Sequence, residues 1–336
     1  MDAQTGKGVV QDMKILRNIT VCLVCLVMIA GAALADGPDP EKAAQLIAEG
    51  VVPVTWEPSA DHLIIEGDEA KALYNRIESE DYLTMEELQA NPVVRQIDAL
   101  SAYYIALYGN TLEIDTPERE ELRKKIREEF LAMGSARTVK IKDSGKHKYE
   151  FDGPLETGYK MILALGLPAS GKSTYIAEPL SEEIGAFILD CDTVKELIPE
   201  YQESHGCAAD AVHFESFAIM DDAMQEFLTG SKKGVNVILP IVSSDLDELM
   251  ETYIKPFEAA GYTVKALFRD AEVNAAACRV VSRELRNGRI IRSVVAFSFL
   301  EKPEEVYNKL KEMSSDKGEP YVDPVEEQEE ELAPAA

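Results

Sequence analysis

Cysteine is scarce in this chain: five among 336 residues, two of which, Cys22 and Cys25, sit inside one apolar run. Outside that run remain Cys191, Cys207 and Cys278, an odd number with no metal-type C-x-x-C pair among them. Neither a disulfide framework nor a thiolate metal site is therefore expected. Positive charge is the second shortage. Thirty-four Lys and Arg stand against 61 Asp and Glu, a net charge of −27, and a chain of that sign is repelled by a phosphate backbone. No nucleic-acid partner is expected. The sequence also lacks an internal repeat. The length gives room for one sizeable core and an accessory domain, and a hydrophobic content of 46% is that of a globular protein.

The one long uncharged stretch is N-terminal. Ile19–Ala35 follows Lys14 and Arg17 and closes on Ala33-Leu-Ala35. A basic start, an apolar middle and a small-residue end are the order of a secretory signal peptide. At about 17 residues the run is also a slightly short membrane anchor. Residues 1–35 are thus expected to export or anchor the protein, with a cytoplasmic location as the alternative.

Residues 36–135 are expected to form a helical accessory region. Glu41–Glu49, Met85–Ala90 and Val93–Leu107 read as helices, and Thr116 is placed to cap another that carries Pro117 in its first turn. These look like packing elements without chemistry. Arg137–Lys142 and His147–Phe151 alternate around Asp143-Ser-Gly-Lys146, the pattern of a β-hairpin. From residue 160 strands alternate with helices: Met161–Leu165, Ala186–Leu189, Val235–Leu239 and Thr263–Phe268. That alternation predicts an α/β fold, a parallel sheet flanked by helices. Pro303–Met313 reads as a helix, and 314–336, with its run Glu326–Glu331, as an acidic disordered tail.

The first predicted strand runs into Gly166, and Gly171-Lys172-Ser173-Thr174 follows after four residues, Leu167, Pro168, Ala169 and Ser170. This is the G-x-x-x-x-G-K-S spacing of a phosphate-binding loop between strand and helix. Glycines let backbone N–H groups curl around a phosphate, Lys172 reaches the outer phosphates, and Ser173 offers its hydroxyl to Mg²⁺. The chain is expected to bind a nucleoside triphosphate. Beyond the second strand, Asp192 in Asp190-Cys-Asp-Thr-Val-Lys195 is either a helix cap or the carboxylate that takes a proton from an attacking hydroxyl. Arg279, Arg283, Arg286, Arg289 and Arg292 make a positive block opposed by Glu284 alone. It is either a solvated helix face or a mobile lid, hinged at Gly288, that closes over transferring phosphates. His213, Glu215 and Asp222, at the start of a long helix, are acceptor-side candidates.

In order and spacing these motifs resemble the zeta toxin family of P-loop kinases, over about residues 158–312. The resemblance implies ATP or GTP and Mg²⁺ as cofactors, UDP-N-acetylglucosamine as acceptor and an antitoxin protein as partner. It gives Lys172 the β/γ-phosphates, Ser173 the metal, Asp192 the role of base, and Arg283 and Arg289 the charge of the transferred group, with Arg292 second. Asp222 falls near the family's acidic sugar-binding position. The third strand departs from the pattern: it ends in Leu239-Pro-Ile-Val-Ser-Ser244 where the family often carries acidic-Gly-Thr. The expected P-loop kinase domain spans 136–313. Two other readings stand beside it, a kinase for another small molecule such as an antibiotic or sugar, and a nucleotide-gated protein-interaction module.

Overall fold

A computed structural model describes residues 37–133, 139–141, 147–149, 154–299 and 302–317. The expected export segment and the glutamate-rich run lie outside the described residues. Among these residues no helix is long and apolar enough to cross a membrane.

Among the described residues four helices come first: α1 (Pro40–Ala48), α2 (Asp68–Glu78), α3 (Met85–Ala90) and α4 (Pro92–Tyr108). Their boundaries follow local chemistry. Thr84 and Glu87 form a reciprocal capping box at the start of α3, through bonds of 3.2 and 2.8 Å. Asn91 caps α4 ahead of Pro92, and Gly109, at φ 67°, ends it. Helix α5 (Pro117–Met133) starts at Thr116, whose Oγ1 accepts the Arg119 N–H at 3.2 Å. The predicted hairpin is present as β1 (Val139–Ile141) and β2 (His147–Tyr149), antiparallel with Lys140 opposite Lys148.

The sheet is built from β3 (Lys160–Gly166), β4 (Phe187–Ile188), β5 (Val237–Ile241) and β6 (Thr263–Arg269). All are parallel, in the order β4-β5-β3-β6. Side chains of β3 alternate between two cores, as the pleat requires. Met161, Leu163 and Leu165 face α5 and α9 (His213–Leu228), together with α11 (Lys255–Ala259) and α14 (Lys302–Lys317). Ile162 and Ala164 face Ile176 and Ala177, in the turn that leads to α6 (Glu178–Ile184). Short helices α7 (Cys191–Lys195), α8 (Pro199–Glu203) and α10 (Leu246–Leu249) fill the connections. Two stretches, Ser173–Ala177 and Met250–Ile254, wind as π-turns, and each precedes a helix whose second residue is proline, Pro179 or Pro256. A proline has no N–H to donate, which removes one i→i−4 bond from the winding.

The accessory helices do not close on themselves. Helices α1–α4 share one core with α12 (Val273–Asn287) and α13 (Ser293–Ser298): Leu73, Ile77, Ile97 and Leu100 meet Ala276, Val280, Val281 and Leu285. Helix α5 instead joins the sheet core through Ile126 and Phe130. The terminal helix runs to Lys317, four residues into the expected disordered tail. At the glycine expected to hinge a lid the backbone is closely packed. Gly288 caps α12 at φ 75°, and a Cβ there would run into the His205 carbonyl oxygen. The arginine helix is anchored at its end and along its apolar side.

Glu215 is corrected as well. It is 1% exposed and accepts from Arg119 Nε at 2.8 Å and Arg123 Nε at 2.7 Å, while Arg119 also donates to Glu200 at 2.7 Å. It ties α5 to α9 inside the protein, away from the cleft. Removing one partner of such a buried cluster leaves charge uncompensated, so Glu215→Ala should cost about 3–5 kcal/mol. Urea unfolding with an unchanged m-value would show that loss, and a change under about 0.5 kcal/mol, the scale of an ordinary surface substitution, would contradict it.

Candidate active site

The segment Gly166–Thr174 turns from β3 into the π-turn before α6. Gly166 sits at φ 153°, and a Cβ on it would meet the Arg269 carbonyl oxygen at 2.7 Å and Ser170 Oγ at 2.8 Å, so only glycine fits. Ala169 is left-handed at φ 54°, the kind of strain that collects at ligand-binding turns. Lys172 folds back to donate to the carbonyls of Gly166 at 3.1 Å and Leu167 at 2.7 Å. Burial, helped by the charge of Arg283, pushes its ammonium down to about 7. The Ser170 hydroxyl is buried with no hydrogen-bond partner among the described residues.

A cavity of about 520 Å³ opens beside this loop. Pro168, Ala169, Gly171, Lys172, Ser173 and Thr174 line one side of it. Gly166 lies behind them at the base of the loop. Asp192 lines the cavity at the end of β4, in the place expected of a residue beyond the carboxyl end of a parallel strand. The helix-cap role belongs to its neighbour: Asp190 accepts the Asp192 N–H at 3.0 Å. Asp192 pairs with Arg289 and accepts from Lys195 Nζ at 3.0 Å. Burial works against its charge, but Arg289, Lys195 and Arg283 outweigh it and hold the carboxyl well below the usual range. Asp190 moves the other way, raised by burial and by the charge of Asp192.

All five arginines of the block line this cavity. Arg283 Nε, Arg286 Nε and Arg289 Nε are buried, and none has a hydrogen-bond partner among the described residues. Burial and the nearby Arg289 lower Arg283 to about 10. Glu284, the acid expected to oppose the block, is pushed up to about 8 by burial and accepts the Ile291 N–H at 2.9 Å. Raised in this way it is a weak counter-charge to the block, in which Arg289 and Arg292 pair instead with Asp192 and Asp210. Arg292 also reaches the cavity, held by Asp210 at 3.1 Å.

His213 lies in the cavity wall, where burial and then the charge of Lys195 push it down to about 3, so it is neutral at pH 7. Asp222 is exposed on the far part of α9 and does not line the cavity. Of the acceptor-side candidates, the structure brings His213 and Arg292 to the cleft and leaves Glu215 and Asp222 outside.

The accessory helices, expected to carry no chemistry, reach the site. Glu78 of α2 lines the cavity and accepts from Ser282 Oγ at 2.5 Å. Tyr82 accepts from Arg279 at 3.1 Å, and Asp98 accepts both the Ser293 N–H, at 2.7 Å, and its hydroxyl, at 2.5 Å. No local signal marks these residues, because their partners lie about two hundred positions away. Lys195 was legible in principle, since it stands three residues after Asp192 on one helical turn.

On the other flank of the loop lies a second cavity of about 530 Å³ that shares Ala169, Gly171 and Arg279 with the first. Here the Arg269 guanidinium lies 4.5 Å from the centre of the Tyr175 ring. The donor set fits a polyanion: a glycine cradle, a buried lysine, and buried hydroxyl and guanidinium nitrogens without partners. Ser173, Asp190 and Asp192 offer the oxygen atoms that suit Mg²⁺.

No curated protein matches the chain. The zeta toxin family model matches residues 156–326, just over half of the 336 residues, and takes in the phosphate loop, Asp192 and the whole arginine block. With that match over a parallel four-stranded sheet flanked by helices, the chain belongs to the zeta toxin family.

Proposed function

We propose that the protein transfers the γ-phosphate of ATP or GTP to a hydroxyl of a small metabolite. The family carries kinase-like phosphotransferase chemistry that uses a nucleotide. The observation that supports the full reading is the convergence of Lys172, an ionised Asp192 and partnerless arginine nitrogens on one cavity.

In this reading the phosphate loop and Lys172 hold the β- and γ-phosphates, and Arg283 and Arg289 face the charge that spreads over the transferred group. Asp192 accepts the proton of the attacking hydroxyl. The Arg289 and Lys195 pairs keep its carboxylate ionised and aimed. Mg²⁺, held by the Ser173 hydroxyl with the nearby carboxylates, would neutralise phosphate oxygens. Nucleoside and base lie toward the second cavity, since the two cavities meet across Ala169 and Gly171. His213 and Arg292 belong to the acceptor side. UDP-N-acetylglucosamine, the acceptor implied by the resemblance, is the first compound to assay. An inhibitory antitoxin, and export or membrane anchoring through residues 1–35, complete the proposal.

Two measurements test it. Asp192→Asn keeps the size of the side chain and removes the base, so turnover with labelled γ-phosphate should fall about 10²–10⁴-fold. Unchanged turnover would take the role of base from Asp192, and no phosphoryl transfer by the wild type, with nucleotide affinity intact in the variant, would leave a nucleotide-gated module as the better reading. Lys172→Ala should weaken ATP binding about tenfold or more in calorimetry, on the scale of a lost charge-assisted contact. Equal affinity in wild type and variant would remove the loop from the nucleotide site.

A further inference from the structure

Residues 288–292 join α12 to α13 as a strap of irregular backbone beside the cleft. Arg289, Ile291 and Arg292 line the main cavity, while Ile290, fully buried, sits in the core shared with the accessory helices. Arg289 carries the pair with Asp192, and Arg292 the pair with Asp210. Irregular backbone has no ladder of its own to take its N–H groups. Here three in succession go to carboxylates. Ile291 donates to Glu284 Oε1 at 2.9 Å, Arg292 to Asp210 Oδ2 at 3.3 Å, and Ser293, the first residue of α13, to Asp98 Oδ1 at 2.7 Å.

Of these three acids only Asp98 comes from an accessory helix, α4. It spends both oxygens on one residue, since Ser293 Oγ donates to Asp98 Oδ2 at 2.5 Å. Hydrogen bonds to a charged acceptor are the strong kind. One turn further along α4, the buried Ser101 donates to Asp210 Oδ2 at 3.0 Å, so the same helix also bears on the anchor of Arg292. The arrangement gathers like charges: burial raises Glu284, and Asp98 and Asp210 add to the rise. A strap that only had to be tied down could use neutral carbonyls. This one carries two guanidinium groups, which offset the repulsion, so the acids fix backbone and cations together. Asp98 itself lines neither cavity.

Resting on the phosphotransferase reading above, we propose that Asp98 is a positioning residue for phosphoryl transfer. From the accessory helix α4 it holds the Ser293 end of the strap, and through the strap it sets Arg292 in the cleft and Arg289 against Asp192. The accessory region thereby acts on the transfer step without touching nucleotide or acceptor.

The test uses the full chain with Mg²⁺, γ-labelled ATP and UDP-N-acetylglucosamine, and reads turnover both as transfer to that compound and as release of phosphate to water. Asp98→Ala is expected to lower kcat about 10–100-fold, the scale of a reacting group misplaced by a remote change. The Kd for ATP should stay within about twofold, because the phosphate loop is untouched. Asp98→Asn keeps an oxygen for the Ser293 N–H and an amide for the Ser293 hydroxyl, so it should recover most of the lost turnover. Thr84→Ala uncaps α3 in the same helical unit without touching the strap, and should keep kcat within about twofold of wild type. Wild-type kcat in Asp98→Ala overturns the inference and leaves the phosphotransferase reading standing. So does a parallel loss of kcat and ATP affinity, an Asn variant as slow as the Ala variant, or a Thr84→Ala variant equally slow. If Asp98→Ala fails to fold, Ser293→Ala decides, since it removes the hydroxyl bond alone. It should lower kcat about threefold at unchanged ATP affinity, and wild-type kcat there overturns the inference. Absence of any turnover by the wild type takes down the reading and the inference together.

Discussion

Burying arginine nitrogens without partners is costly, and in this protein that cost is borne by one helix. Helix α12 turns Arg279, Arg283 and Arg286 toward the cleft while Ala276, Val280, Val281 and Leu285 sink into the core shared with α1–α4. Its end is fixed by the contact between Gly288 and the His205 backbone, and the following segment by Asp98 and Asp210. Without the apolar side the guanidinium groups would turn to water. With it, they stay in place beside the phosphate loop. The accessory helices are therefore part of the site, and from their stretch of chain Glu78, Glu80 and Tyr82 line the cavities.

A second balance is set within the site. Asp192 and Asp190 stand two residues apart at the end of the same strand, yet the charges of Arg289 and Lys195 fall on Asp192 and burial dominates Asp190. The two carboxylates are thus separated in acidity by their partners, the usual way a site distinguishes chemically equal groups. Asp190 holds the backbone turn, and Asp192 is left to face the cleft.

Much of the kinase-like half was legible in the sequence because its signals are local. The phosphate loop, the strand runs beginning near Met161 and Thr263, and the cap at Thr116 each depend on residues within a few positions of one another. Where partners are distant, local reading failed. Glu215 looked like a cleft residue because it stands two positions after His213, but Arg119, ninety-six residues earlier, claims it. Gly288 suggested a hinge, since a glycine after a helix serves a hinge and a rigid cap equally. The His205 carbonyl that packs against it is remote in sequence. Periodicity marked Val93–Leu107 as a helix without showing that it packs against α12.

The same long reach has a consequence for how the chain comes into being. The Leu83 N–H meets Cys278 Sγ across 195 positions, and Glu78 meets Ser282 across 204. The first helices leave the ribosome well before the surface that covers them has been made. Loop closure of that span is slow, and half-made chains carry exposed apolar stripes that invite aggregation or a chaperone. The arginines and the phosphate loop can be brought together only after the chain has been made past Arg292. A nascent or unfolded form of this protein is therefore silent toward nucleotide by the order of its own chain.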